Sequence, residues 1–306
     1  MKFIAPISSL LIMVCSAAVV AQDDLTKMLE QNETKVINYT AATFKGTRII
    51  NGHSVETVKA KHMDFLIQHR FGPLNDIDNF FGLDIATLRL GFEFGLTDRL
   101  MMGIGRTNVQ KAVDLFAKYR LFRQSSGAAN MPVSVTLFGS LVTKTLKEGT
   151  TAVAFQDKLT YCTQVLIARK FSEKFSLQVT PTLLYRNRPE AKGDDRVLFA
   201  VGVGGRYKLT KRLSVNADYY WAARDNNAVL SDRFNSPVSY NNALALGVDI
   251  ETGGHVFQMH FTNALGMNEK QFVGETVGSW GRGDVRYGFN ISRTFSFDKR
   301  AKSMIK

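Results

Sequence analysis

DIATLRLGFEFGLTDRLMMGIGRT, residues 84–107, is the stretch from which the fold can be read. Over residues 84–96 one parity carries Ala86, Leu88, Leu90, Phe92, Phe94 and Leu96, and the other carries Thr87, Arg89, Gly91, Glu93 and Gly95. Such alternation marks a strand with one apolar face, because successive side chains of an extended backbone point to opposite sides. The polar turn Thr97-Asp98-Arg99 then returns the chain through Leu100, Met102 and Ile104 on the same face, which makes a hairpin. The design repeats in TQVLIARKFSEKFSLQVTPTLLY (163–185) and in VLFAVGVGGRYKLTKRLSVNADYYW (197–221).

Outward from this hairpin the alternation is almost unbroken between residues 59 and 297. The first strand sets Met63, Phe65 and Ile67 against His62, Asp64, Gln68 and Arg70; the last has Val285, Tyr287, Phe289, Ile291, Phe295 and Phe297 on its apolar parity. The pattern reads as about twelve strands, most near or above the roughly 9–11 residues that a tilted membrane-spanning strand needs. Connections 97–99, 172–174, 210–212 and 252–254 are short, whereas 72–83, 146–157, 225–240 and 265–283 are long. Two depart from the rule: 123–131 is long on the short side, and 108–111 is short on the long side. Short periplasmic turns and longer outer loops characterise outer-membrane barrels.

Aromatic residues on the apolar parity fall at strand ends, where a membrane interface lets a ring be half wet. Tyr119, Phe171, Phe175, Tyr207, Phe295 and Phe297 lie toward the short turns, and Tyr161, Tyr185, Trp221 and Tyr287 toward the long loops, forming two expected girdles. Arg169 and Arg293 interrupt the apolar parity two residues from Phe171 and Phe295, close enough to the interface to snorkel. The expected fold class is all-β: a transmembrane antiparallel up-and-down β-barrel of about twelve strands, with short periplasmic turns and longer extracellular loops. A soluble sandwich or barrel also alternates and is the competing reading, but it leaves the girdles and the sorted loops unexplained.

Residues 1–21 have Lys2, an apolar run to Val20 and small residues at the end, as in a secretory signal peptide cleaved after Ala21. Cys15 follows Val14 rather than the small residue that lipidation favours. The signal holds one base and no acid, so cleavage lowers the formal charge from +12 to about +11. For an exported chain this basic balance points to anionic head groups or acidic solutes, and not to nucleic acid. Cys162 then stands alone, which excludes an intrachain disulfide. No later apolar run approaches the roughly 18 residues of a spanning helix. Residues 22–57 are read as a periplasmic N-terminal segment, either a linker or a plug for the barrel mouth, with a short helix expected over 24–33 and an apolar pair at Ile49-Ile50. The barrel spans 58–298, and 299–306 form a basic tail.

If the apolar parity faces lipid, the other lines a lumen. Its candidates are Asp64, Arg70, Arg89, Glu93, Lys118, Arg120, Arg206, Lys208, Asp218, Asp249 and Arg286, with Arg196 among the further bases. These charges either line a narrow pore, where the surplus of base favours anions, or close it by pairing. His62 and Asp64 share a face and His260 lies elsewhere; two ligands at that spacing are common by chance, and no metal or other cofactor is assigned. Gly202-Val203-Gly204-Gly205 sits within a strand with no helix after it, so it marks a bend or close contact and not a phosphate loop. A lipid hydrolase needs a serine and a histidine on one strand face, but the only adjacent pair, His53-Ser54, lies in the N-terminal segment, and no catalytic residue is assigned.

ATFKGTRIINGHSVET (42–57), HMDFLIQHRFG (62–72) and the terminal aromatic strand ending Phe295-Ser296-Phe297 resemble an outer-membrane β-barrel family common in Bacteroidetes-type bacteria and labelled only as a domain of unknown function. The resemblance covers nearly the whole mature chain and implies a Gram-negative outer-membrane location, contact with outer-membrane lipid and recognition by the barrel-assembly machinery. It brings no substrate and no catalytic residue. The expected role is a narrow passive channel for small polar or anionic solutes; the rivals are a non-conducting scaffold for a periplasmic or surface partner and a membrane-embedded lipid hydrolase. The loop 265–283, with Phe272, Val273 and Trp280, is apolar enough to bind a partner or to fold into the mouth.

Overall fold

The computed structural model describes residues 36–146, 153–224, 228–231, 236–252 and 254–298. The signal peptide, the helix expected over 24–33, the tail 299–306, Gly253 and parts of the connections 146–157 and 225–240 lie outside them.

Twelve strands close into a barrel. They are β1 (His62–Pro73), β2 (Ala86–Gly95), β3 (Leu100–Thr107), β4 (Ala112–Phe122), β5 (Ser134–Lys144), β6 (Leu159–Lys170), β7 (Phe175–Arg186), β8 (Val197–Lys208), β9 (Leu213–Ala223), β10 (Ala243–Thr252), β11 (His255–Thr262) and β12 (Arg286–Ser296). Each pairs antiparallel with its sequence neighbours, and β12 pairs with β1 from Pro73 opposite Arg286 to His62 opposite Ser296. Closure leaves no strand edge with unpaired backbone, which a membrane interior requires.

Burial decides which way the pleat faces. In β2, Leu88, Leu90, Phe92 and Phe94 are 37–41% exposed, while Arg89 and Glu93 between them are 0% and 1% exposed. A water-soluble barrel would reverse that order, so the apolar parity is a lipid-facing wall. The opening hairpin keeps this face in register, with Phe92 opposite Ile104 and Phe94 opposite Met102.

The aromatic residues expected to form girdles lie at strand ends: Tyr161 is paired with Tyr185, Tyr207 with Phe175, and Tyr119 with Leu100. Tyr119, Tyr161, Phe171, Phe175, Tyr185, Tyr207, Trp221 and Phe297 are exposed, whereas Tyr287 and Phe295 are half-buried. The guanidinium of Arg169 lies 5.2 Å from the Phe171 ring centre and that of Arg293 lies 4.9 Å from Phe295, so these rings cover the two interrupting charges.

Of the linker and the plug weighed for the N-terminal segment, a linker outside the barrel does not describe residues 43–58, which lie inside the ring of strands with Phe44, Ile49, Ile50, Val55 and Val58 buried. One expectation needs correction: the inner parity is less polar than expected. Phe116, Phe138, Leu166, Leu184, Leu198 and Tyr220 face inward and form one apolar cluster with Phe44, Ile49, Val55, Val58, Phe272 and Val273. The interior therefore has a core of its own.

Outside the barrel ring, Ile37–Tyr39 pairs with Ser125–Gly127 at the short-turn end, which accounts for the long turn there. At the opposite end Ala191–Lys192, Ala228–Ser231 and Ser236–Ser239 form a small sheet.

Candidate functional site

Residues 43–58 pair with no barrel strand, so their peptide groups find partners within the segment and among side chains of the wall. The segment doubles back on itself: Ile49 N donates to Gly52 O at 2.8 Å and Ser54 N to Thr47 O at 2.9 Å. This turn aims three consecutive N–H groups at one carboxylate. Ile50, Asn51 and Gly52 donate to Asp218 Oδ2 at 3.2, 2.7 and 3.1 Å, and the Asn51 amide donates to Oδ1 at 3.0 Å. Successive N–H groups in a tight turn form a concave anion site, and Asp218 fills it from the wall.

The wall holds the rest of the segment through its carbonyls. Lys118 Nζ donates to the oxygens of Thr47, Ser54 and Glu56 at 2.8, 2.9 and 2.9 Å. Gln178 accepts from Val55 N at 2.8 Å and donates to His53 O at 2.7 Å, and Thr136 donates to Val55 O at 2.9 Å. Arg206 reaches Ala42 O at 3.3 Å, Asn290 reaches Ile50 O at 3.3 Å, and Gln258 donates to Ile49 O. Glycines make the approach possible: a Cβ on Gly52 would lie 1.8 Å from the Tyr220 hydroxyl, and one on Gly204 would lie 2.4 Å from Ile49 Cδ1. Gly202, where a Cβ would lie 2.4 Å from the Tyr220 ring, and Gly204 are thus close-contact positions, whereas Gly205 is not.

A second insert comes from the opposite end. The connection between β11 and β12 turns inward and forms the short helix α1 (Glu269–Gly274), capped by Asn268, whose side chain accepts from Gln271 N at 3.1 Å. Phe272 and Met267 are fully buried. Charges fix this insert. Lys270 Nζ contacts Glu190 at 2.9 Å, Gln110 at 2.8 Å and Glu275, and Lys144 meets Glu190 at 2.9 Å. Burial pushes the Glu190 carboxyl up, but Lys270 and Lys144 outweigh it and hold it down at about 2. Beside this network Arg186 and Arg224 grip Asp194 at 2.6 and 2.7 Å, and Arg224 donates to Gly274 O at 2.5 Å.

The two inserts meet near the middle of the barrel. Arg70 donates to Asn51 Oδ1 at 2.6 Å on one side and to the carbonyls of Ala264 (3.0 Å) and Gly266 on the other. Arg48 Nη1 donates to Met267 O at 3.4 Å, and His53 Nε2 lies 3.6 Å from Glu269 Oε1. The His53 ring is wedged between Phe116 and Phe138, with centroids 4.7 and 4.5 Å away. Between inserts and wall, the space beside Thr47, Arg48, Asp249 and Gln258 has a volume of about 30 Å³, room for single waters.

Of the expected lumen residues, Arg70, Arg89, Glu93, Lys118, Arg206, Asp218 and Asp249 are buried on the inner side; Asp64, Arg120, Lys208 and Arg286 are half-buried nearer the ends of their strands. Arg89 pairs with Asp114, Nε to Oδ1 at 2.9 Å and Nη2 to Oδ2 at 2.5 Å, and donates to Gln68 at 2.7 Å. Arg196 is exposed at a strand end and does not join them. Sequence reasoning missed the role of Arg186, which is fully buried, and the inward aromatics. A signal for an apolar interior existed: 165–168 and 197–203 are apolar on both parities, which a water-lined strand would not be.

The residues weighed for other chemistry are apart or occupied. Ser54 Oγ donates to Gly46 O at 2.6 Å, and the neighbouring His53 is enclosed by phenylalanines. His62 sits opposite Ser296 and His260 opposite Gly288, toward opposite ends of β12. Among the described residues no group of three or more His, Cys, Asp or Glu is placed to hold a metal ion.

No curated protein matches the sequence significantly. Solved structures that align include the NanC porin, at 9% identity and TM-score 0.46 over 77% of this chain and 99% of that one. An outer membrane channel from Pseudomonas putida F1 aligns at 11% and 0.49 over 78% and 97%, and outer membrane phospholipase A from Escherichia coli at 10% and 0.40 over 76% and 89%. At such scores they carry no inference about this chain, whose fold rests on its own strand pairing. The family described as "Membrane bound beta barrel domain (DUF5777)" matches residues 44–295, a span that takes in the inserted N-terminal segment together with every barrel strand, and the chain belongs to that family.

Proposed function

We propose that this protein is an outer-membrane channel for small polar or anionic solutes, held shut by its own N-terminal segment. One observation carries the reading: the wall grips residues 43–58 mainly through polar side chains bound to backbone carbonyls and N–H groups, as in the Lys118 and Asp218 contacts. Withdrawal of the segment toward the short-turn end exposes a lumen already lined with groups that water and ions can solvate. The segment also buries Phe44, Ile49, Val55 and Val58 against the wall, but its polar ties are ones that water can replace on withdrawal. In this reading the short turns are periplasmic, the mature chain begins after Ala21, the barrel-assembly machinery inserts it, and it performs no catalysis.

The apolar cluster around Phe116, Phe138 and Phe272 favours the second reading, a permanently closed scaffold. Planar-bilayer recording of the refolded full chain and of a form lacking residues 22–57 separates them. Conductance that rises sharply on deletion, with anion-selective reversal potentials, is the expected result. Silence in both forms points to the scaffold, and cation preference removes the anion assignment.

A further inference from the structure

At the short-turn end, beneath the inserted segment, the barrel has an open cavity of about 610 Å³. Its charged lining is unbalanced: Lys59, Arg99, Arg120 and Arg123 stand against Glu56 and Asp98. Arg123 lies over the ring of Tyr39, 4.9 Å from its centre, so part of the cation wall is backed by an aromatic face. Lys118 and Arg120 are two positions apart on the inward parity of β4, and Glu56 holds both. Its carboxylate Oε2 lies 3.7 Å from Arg120 Nη2, and its carbonyl accepts from Lys118 Nζ at 2.9 Å. Through Oε1 the same carboxylate accepts from Thr43 N at 2.9 Å and Phe44 N at 3.4 Å, tying the start of the inserted segment to its end.

We propose that this cavity is a binding site for a small carboxylate-bearing solute, and that Glu56 is its built-in competitor. A solute carboxylate reaching the cavity finds Arg120 already turned toward an oxygen ligand. In taking that place it displaces Glu56, which loosens the clamp on Thr43 and Phe44 and so favours release of the segment. Binding and closure then oppose each other by linkage. Arg120 and Glu56 retain 18% and 26% side-chain exposure, so the exchange needs no prior unfolding. The proposal rests on the reading of residues 43–58 as a removable plug only for its consequence; the site itself does not need conductance.

Isothermal titration of citrate into the detergent-solubilised full chain, with chloride at matched ionic strength as reference, tests it. Saturable citrate binding is expected, weakened at least about tenfold by Arg120→Gln, since a charge-assisted contact is lost. Glu56→Gln is expected to tighten citrate by about the same factor, because the competitor loses its charge yet keeps an oxygen for Thr43 and Phe44. A merely structural role for Glu56 predicts no tightening. Absent binding, equal heats with chloride, indifference to Arg120→Gln, or weaker binding in Glu56→Gln would overturn the proposal. Deletion of residues 22–57 followed by conductance judges the plug separately: a conducting deletion with no citrate site removes this inference alone, and a citrate site in a silent barrel removes the channel alone.

Discussion

The two segments that enter the barrel are held by different physics. Residues 43–58 are bound through their backbone, with Asp218 collecting three N–H groups and Lys118 three carbonyls. The β11–β12 connection has some carbonyls taken by Arg70 and Arg224, but its helix is fixed by its own side chains, with Lys270 among Glu190, Glu275 and Gln110 and with Phe272 against Tyr220, ring centres 4.9 Å apart. A backbone-held segment is set chiefly by its turn and its glycines, with side chains such as Asn51 and Ile49 completing the fit. A side-chain-held segment depends on a few particular residues and on their ionisation.

The largest effect expected is on the second insert. Lys270→Met leaves the carboxylates of Glu190 and Glu275 buried with less compensation, which costs about 3–5 kcal/mol in such pairs. Hydrogen exchange at amides 269–276 should then accelerate by orders of magnitude while barrel amides stay protected. Equal acceleration throughout residues 43–58 would show that the inserts open together through Arg70, and would break the comparison.

Asp218→Ala is the matching test of the first insert. It leaves the N–H groups of Ile50, Asn51 and Gly52 without an acceptor, for a loss on the order of 3 kcal/mol. Exchange at 49–54 should rise and that at 269–276 should change less. Unaltered protection at 49–54 would mean that apolar contacts, not the carboxylate, seat the turn.

A smaller effect should follow pH. Glu190, in the connection between β7 and β8, is held down at about 2 against an ordinary value of 4.5. A depressed folded-state pKa contributes stability that is full above the unfolded value and is lost as pH falls toward the folded one. Protection of α1 should therefore weaken between pH 4.5 and about 2, and less than in Lys270→Met, because a protonated Glu190 is neutral whereas the substitution leaves carboxylates buried without their cation. Protection that stays constant across this window would argue that Glu190 contributes little to seating the helix.

The Asp84–Thr107 hairpin shows how much of this was legible. Parity alone separated Leu88, Leu90, Phe92 and Phe94 from Arg89 and Glu93, and the sorting of turn lengths indicated a membrane barrel, because strand pairing between neighbours is local and repetitive. Arg120 and Asp218 were readable as inward residues for the same reason. That Asp218 would meet Asn51, or Lys118 the carbonyl of Thr47, was not, since those partners are 167 and 71 positions apart and periodicity says nothing about contacts across a lumen.

The sequence by itself determined the wall: which parity faces outward, which aromatic residues sit at strand ends and which end carries the short turns. All of these follow from a two-residue period and from turn chemistry. Only the tertiary structure decided what occupies the interior. The filling depends on where two non-strand segments come to rest, and neither GTRIINGHSVET nor α1 carries a period that specifies its partner. Their places are set by hydrogen bonds to peptide groups, which every sequence possesses, and by ion pairs that exist only once the ring has closed.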